Sequence, residues 1–238
     1  MIQSFNDKVI ISGKFVEYYQ YLDKAVLKGY RRKPRLSKEN KDKSNKDEQI
    51  KEKRDSSVRR TRTEMRRLVN SNPHLNKFLT LTFASKMTDL SKANRLFNTY
   101  IRRMNKHFSK FQYIAIVEFQ KRGVVHYHLL CNLQYVPAKK LEEIWQHGFI
   151  NIKRIDRVDN IGAYVCKYLH KDMFDKRMFR KKKFFRSQDL DKPAEILGDS
   201  AKLFMKEGLE NMKLDWEKEF KENEYRGKIL YRQYRYKN

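Results

Sequence analysis

Two tyrosines four residues apart, each followed three residues later by a lysine, stand in the run Tyr164-Val165-Cys166-Lys167-Tyr168-Leu169-His170-Lys171. Upstream lies His126-Tyr127-His128. A phenol is a poor nucleophile near neutral pH, so its attack on phosphorus needs positive charge nearby to stabilise phenolate and the pentacoordinate transition state. Lys167, Lys171 and a cation held by the histidines would supply that charge. A tyrosyl phosphate ester keeps the energy of the bond it replaces, so the set is suited to cutting and rejoining a phosphodiester backbone.

The elements that must position these groups are legible in the hydrophobic pattern. Phe78 to Phe83 alternates with a period of two, and Ser91 to Phe108 places Leu96, Phe97, Tyr100, Ile101 and Met104 on one helical stripe. Phe111–Phe119 and Val124–Leu133 read as strands around Gln120-Lys121-Arg122-Gly123. A helix near Ala138–Gln146 and a strand at Phe149–Ile155 follow. The order βαββαβ predicts an α+β fold, an antiparallel sheet with a ferredoxin-like or RNA-recognition-type core and helices mainly on one face.

If Lys121-Arg122-Gly123 is a three-residue loop with Gly123 left-handed, Glu118 pairs with His126 and Ile116 with His128. One face then carries Glu118, His126 and His128, and Ala115, Val117, Phe119, Val125, Tyr127 and Leu129 go to the apolar face. Two imidazoles and a carboxylate can hold a divalent cation with positions left open. Gln120 or water is the alternative to Glu118. The ligands would also accept zinc or ferrous iron, whereas a phosphodiester substrate selects Mg2+ or Mn2+. A helix opening at Asp159 or Asn160 places Tyr164, Tyr168 and Lys171 on one face, with Lys167 beside them. One nucleophile, with the other tyrosine orienting the scissile phosphate, fits the same spacing.

With 55 Lys and Arg against 29 Asp and Glu, the formal charge of +26 calls for a polyanionic partner. No apolar run is long enough to span a bilayer, and the first residues lack signal-peptide order, so a cytoplasmic protein with no membrane partner is expected. Cys131 and Cys166 read as reduced core thiols. Four segments are expected: a β extension over 1–36, a charged linker over 37–57, a catalytic domain over 58–175 and a basic C-terminal extension over 176–238. Val58, Met65, Leu68 and Val69 form one side of an arginine-rich helix. In the last segment Lys176, Arg177, Arg180, Lys181, Lys182, Lys183 and Arg186, with Phe179, Phe184 and Phe185, offer charge and stacking for DNA. Ala201 to Phe220 looks helical.

His126-Tyr127-His128 after a strand, the upstream strand Phe78–Phe83 and the doubled Tyr-x-x-Lys resemble the three motifs of rolling-circle replication initiators of the HUH endonuclease superfamily, in particular the two-tyrosine type. The resemblance covers roughly residues 75–175. It implies a metal-dependent nick in one strand of single-stranded or locally melted origin DNA, giving a 5′-phosphotyrosine and a 3′-hydroxyl, with rejoining at termination. By position, His126 and His128 match the metal histidines, Glu118 the variable third ligand, Tyr164 and Tyr168 the nucleophiles, and Lys167 and Lys171 the paired lysines. Tyr127 should point into the core. No Gly-x-x-x-x-Gly-Lys-Ser/Thr loop occurs. Unwinding and synthesis are therefore expected from a host helicase and DNA polymerase in a bacterial cell carrying a plasmid or phage. A transposase or relaxase with the same chemistry and a non-enzymatic RNA-recognition-type module are the competing readings.

Overall fold

The computed structural model describes residues 3–29, 44–155, 161–162, 164–165, 176–178, 181–182, 184–223 and 227–237. These fall into two compact units, one within 48–191 and one made from both ends of the chain, 1–47 and 192–238.

The unit drawn from both ends begins with strands β1 (Gln3–Phe5), β2 (Asp7–Ser12), β3 (Phe15–Tyr21) and β4 (Val26–Lys28). Helix α1 (Ser44–Ser71) follows. The expected linker over 37–57 is therefore helical from Ser44. The stretch from Ser44 to Ser57 has no glycine or proline and is rich in Glu, Gln and Lys, so the backbone can propagate a helix before the apolar side starts at Val58. An absent apolar face argues against burial, not against helicity.

The central unit holds β5 (Lys77–Leu81), α2 (Leu90–His107), β6 (Tyr113–Phe119), β7 (Val125–Cys131), α3 (Ala138–Trp145), β8 (Ile150–Arg154) and β9 (Phe184–Arg186). Asp89 caps α2, its carboxylate accepting from the N–H groups of Ser91 and Lys92 at 2.8 and 3.1 Å. The sheet order is β8-β5-β7-β6-β9, and every pairing is antiparallel. The first four strands thus have the order of a ferredoxin-like βαββαβ core, as the pattern predicts.

Period-two alternation gives the sheet two buried faces. Leu79, Leu81, Ala115, Val117, Tyr127 and Leu129 pack with Phe97, Tyr100 and Met104 of α2 and Leu141, Ile144 and Trp145 of α3. Phe78, Ile114, Ile116 and Leu130 pack with Val58, Met65, Leu68 and Val69 of α1. So α2 and α3 share one face, and α1 adds a helix to the other, the face that bears the histidines. At the end of α1, buried Asn72 donates to Leu68 O and Asp191 O and accepts from Asp191 N, all within 3.0 Å. The expected boundary at residue 175 also shifts: β9 is the fifth strand of this sheet, with Phe185 in one core and Phe184 against the other.

The remaining elements are β10 (Ala194–Leu197), α4 (Asp199–Gly208), β11 (Met212–Asn223) and β12 (Gly227–Tyr236). They join the N-terminal strands in a second antiparallel sheet, β10-β2-β3-β12-β11, and α4 packs Ala201 and Met205 against Val9, Val16 and Tyr234. The two expected extensions are therefore one unit. The helix expected over 201–220 ends at Gly208, and β11 pairs along β12 instead. Its Lys- and Glu-rich composition favours helix, but Leu214, Trp216 and Phe220 recur at even spacing and a partner strand lies alongside.

Candidate functional site

The β6–β7 hairpin closes as the loop chemistry predicts. Gln120 N–H donates to Val124 O at 2.9 Å, Gly123 N–H donates to Gln120 O at 2.7 Å, and Gly123 has φ +79°. Glu118 accordingly pairs with His126 and Ile116 with His128. On the other side of β7, Thr80 pairs with His128.

These registers gather the polar groups, and the side chains then choose diagonal partners. Glu118 bonds to Nε2 of His128, not to His126 directly opposite. Thr80 Oγ1 lies 3.0 Å from Nδ1 of His128, so both imidazole nitrogens are engaged. His126 Nδ1 faces the Gln120 amide at 3.4 Å. Both histidines are buried, at 7% and 6% exposed. Burial holds the His126 pKa below its ordinary value, with the Glu118 charge opposing the shift and His128 adding to it. His126 is therefore kept neutral, the state that can bind a cation.

The donor types fit a divalent metal: two imidazoles and a carboxylate on one face of paired strands. Among the described residues, however, no three His, Cys, Asp or Glu side chains form a metal-holding group. Glu118 spends its carboxylate on His128, and would have to release that nitrogen for the three to share an ion.

Tyr164 reaches the same face. Phe78 stacks on His128, with centroids 5.5 Å apart and planes 16° from parallel, and meets Tyr164 edge-on at 6.2 Å. The helical residues around it sit hard against α1. A Cβ added at Gly162 would lie 2.9 Å from Arg66 O and 2.4 Å from Asn70 Oδ1, and Val165 is buried with Met65 and Leu68. Phe78 and Gly162 are the contributors that sequence reasoning missed. A glycine two residues before the first tyrosine was the available signal. Tyr168, Lys167 and Lys171 lie outside the described residues.

Tyr127 points into the core as expected, stacked on Phe97 at 4.3 Å and donating to Asn94 Oδ1 at 2.7 Å, and burial raises its pKa. Cys131 is a buried free thiol pushed up to about 12 by burial.

The basic residues expected at DNA divide differently. Arg177 lies over the Phe119 ring at 3.7 Å and donates to Gly123 O at 3.2 Å, bracing the hairpin tip. Lys181 and Lys182 are exposed, with Lys182 Nζ 4.9 Å from the centre of the Phe185 ring. Arg186 is half-buried, and its Nη1 is buried without a hydrogen-bond partner. Lys176 lies in a short 3-10 turn, and Arg180 and Lys183 fall outside the described residues. Two clefts, of about 470 and 430 Å³, include Asn132 and Lys110 or Tyr113 and Arg186 in their walls, at the end of β6 and β7 away from His126. The histidine face is marked by chemistry, not by concavity.

Residues 76–173 match a family described as Replication-associated protein, of the ORF2 kind, which supports a rolling-circle replication initiator acting on DNA. The matched stretch is less than half of the 238 residues and contains β5 to β8, the histidine pair, Glu118 and both tyrosines. No curated protein and no solved structure matches the chain. No helix among the described residues is long and apolar enough to cross a membrane.

Proposed function

We propose, with the replication-associated stretch at 76–173 as premise, that this protein is an HUH-type nickase that opens one strand of origin DNA and later rejoins it. The observation that carries the reading is the face on which Glu118, His126 and His128 stand in adjacent strands, with Tyr164 one aromatic ring away from His128. In the reaction the phenol oxygen of Tyr164 or Tyr168 loses its proton and bonds to phosphorus. The P–O3′ bond breaks, and the 3′-oxygen takes up a proton to become the hydroxyl that primes synthesis. Lys167 and Lys171 stabilise the phenolate and the transition-state charge. Mg2+ or Mn2+ on His126, His128 and Glu118, when bound, would polarise the scissile phosphate. Rejoining reverses the exchange, with a 3′-hydroxyl attacking the phosphotyrosine, and the second tyrosine allows one DNA end to be held while the next is cut. A host helicase and DNA polymerase supply unwinding and synthesis in the bacterial cytoplasm.

The test is incubation of the protein with single-stranded DNA from its own replicon, with Mn2+ or EDTA, followed by denaturing electrophoresis. A covalent adduct that requires metal and disappears in the Tyr164→Phe, Tyr168→Phe double variant is the expected result. Binding of origin DNA with neither cleavage nor adduct would overturn the reading in favour of a binding module.

A further inference from the structure

The geometry points to Phe149 as a stacking platform for a base of single-stranded DNA beside the histidine pair, with Lys153 on the same edge taking a phosphate. This rests on the reading of that face as the DNA-processing surface. Ile150 is buried with α2 and α3, and Ile152 packs on the same cluster, so alternation along β8 sends Phe149, Asn151 and Lys153 to the opposite face. That is the histidine face: Thr80 pairs with His128 on one side and with Asn151 on the other. Phe149 continues the strand toward Thr82, whose N–H and hydroxyl both donate to Phe149 O at 3.0 Å. With strands spaced about 4.8 Å apart, β8 runs about 10 Å from the histidine strand, within reach of the next bases of a strand lying on the site.

Phe149 is 68% exposed, and single exposed aromatics are ordinary on protein surfaces. Its mounting and company are not. Gly148 has φ +152°, and a Cβ there would stand 2.3 Å from Thr82 O and 2.5 Å from Ala84 N. Ala84 N–H donates to His147 O at 2.8 Å and Ile150 N–H to Glu142 Oε1 at 3.2 Å, so the backbone on both sides of the ring is pinned. β8 is the edge of its sheet, and Asn151, Lys153 and Arg154 beside the ring are polar or cationic and solvent-accessible. A flat apolar ring held rigidly among cations matches the alternating π-faces and phosphates of an unpaired strand.

The experiment is fluorescence anisotropy with a labelled single-stranded DNA of about 20 nucleotides, the same sequence as duplex, and the same sequence as RNA. Phe149→Ala should bind single-stranded DNA about tenfold more weakly, and that loss should persist when salt is raised. The Lys153→Ala loss should shrink with salt. Phe149→Trp should restore affinity and, in a Trp216→Phe background, show fluorescence quenched by single-stranded DNA. The proposal is overturned if Phe149→Ala binds single-stranded DNA as the parent does, if duplex binding falls equally, if the loss is confined to RNA, or if Phe149→Trp restores nothing while its melting temperature matches the parent's. Covalent adduct formation with binding indifferent to Phe149 sinks the platform and leaves the nickase. Phe149-dependent binding without any adduct does the reverse.

Discussion

Glu118 is in register with His126 but bonded to His128, and this diagonal choice sets what single substitutions should do. Glu118→Gln keeps the shape and removes the charge. On the nickase reading it should raise the Mn2+ concentration for half-maximal adduct formation by about 10- to 100-fold. An unchanged metal requirement would place the third ligand elsewhere. His126 makes a prediction about stability. Its folded pKa is depressed from 6.5 by burial, so the unfolded chain binds the proton more readily. The stability this contributes is complete above the unfolded value and is lost as pH falls through the folded one. The melting temperature should therefore drop on acidification from about pH 7 to about pH 5, and less so in His126→Gln. Equal slopes would mean that other groups dominate.

Elements inherit their accuracy from local signals. The β6–β7 hairpin was legible because a loop of known length with a left-handed Gly123 determines which residues face each other. Gly123→Val should strain that loop, loosen Glu118 against the histidines and lower the melting temperature by several degrees, as calorimetry would show. The tyrosine-bearing helical residues depend instead on a contact with α1 far back in sequence. Gly162→Val has no room against Arg66 O. It should cut adduct formation at least about tenfold while affinity for single-stranded DNA stays within about twofold, since the tyrosine moves and the surface does not. Loss of both together would show a general unfolding. Two element readings failed for one shared reason. Ser44–Ser57 and Met212–Asn223 are both rich in charged helix-formers, and whether such a stretch becomes helix or strand depends on whether a partner strand is beside it.

At the scale of the whole molecule, the chain ends meet. β12 pairs with β3 over seven positions from Ile229↔Tyr21 to Arg235↔Phe15, so the sheet outside the matched stretch is assembled across nearly the full length of the chain. Val16 is wholly buried between this sheet and α4. Val16→Asp places an unpaired carboxylate there, at a cost of several kcal/mol, which should melt this unit. Hydrogen exchange should then lose protection in β2, β3, β10, β11 and β12 and keep it in β5 to β8. Loss throughout would show that the two units fold as one.

The sequence by itself determined the order of the βαββαβ core, the apolar stripe of α2 and the shared face of Glu118, His126 and His128. Each of these follows from a period of two or 3.6 residues, or from a loop that pairs its own neighbours. Only the tertiary structure decided that Glu118 bonds to His128, that α1 packs on the histidine face and holds Gly162, that β9 completes the sheet, and that both chain ends build one unit. These pairings join residues far apart in sequence, where loop closure carries an entropic cost and no local periodicity names the partner. The choice is made by which buried surfaces fit.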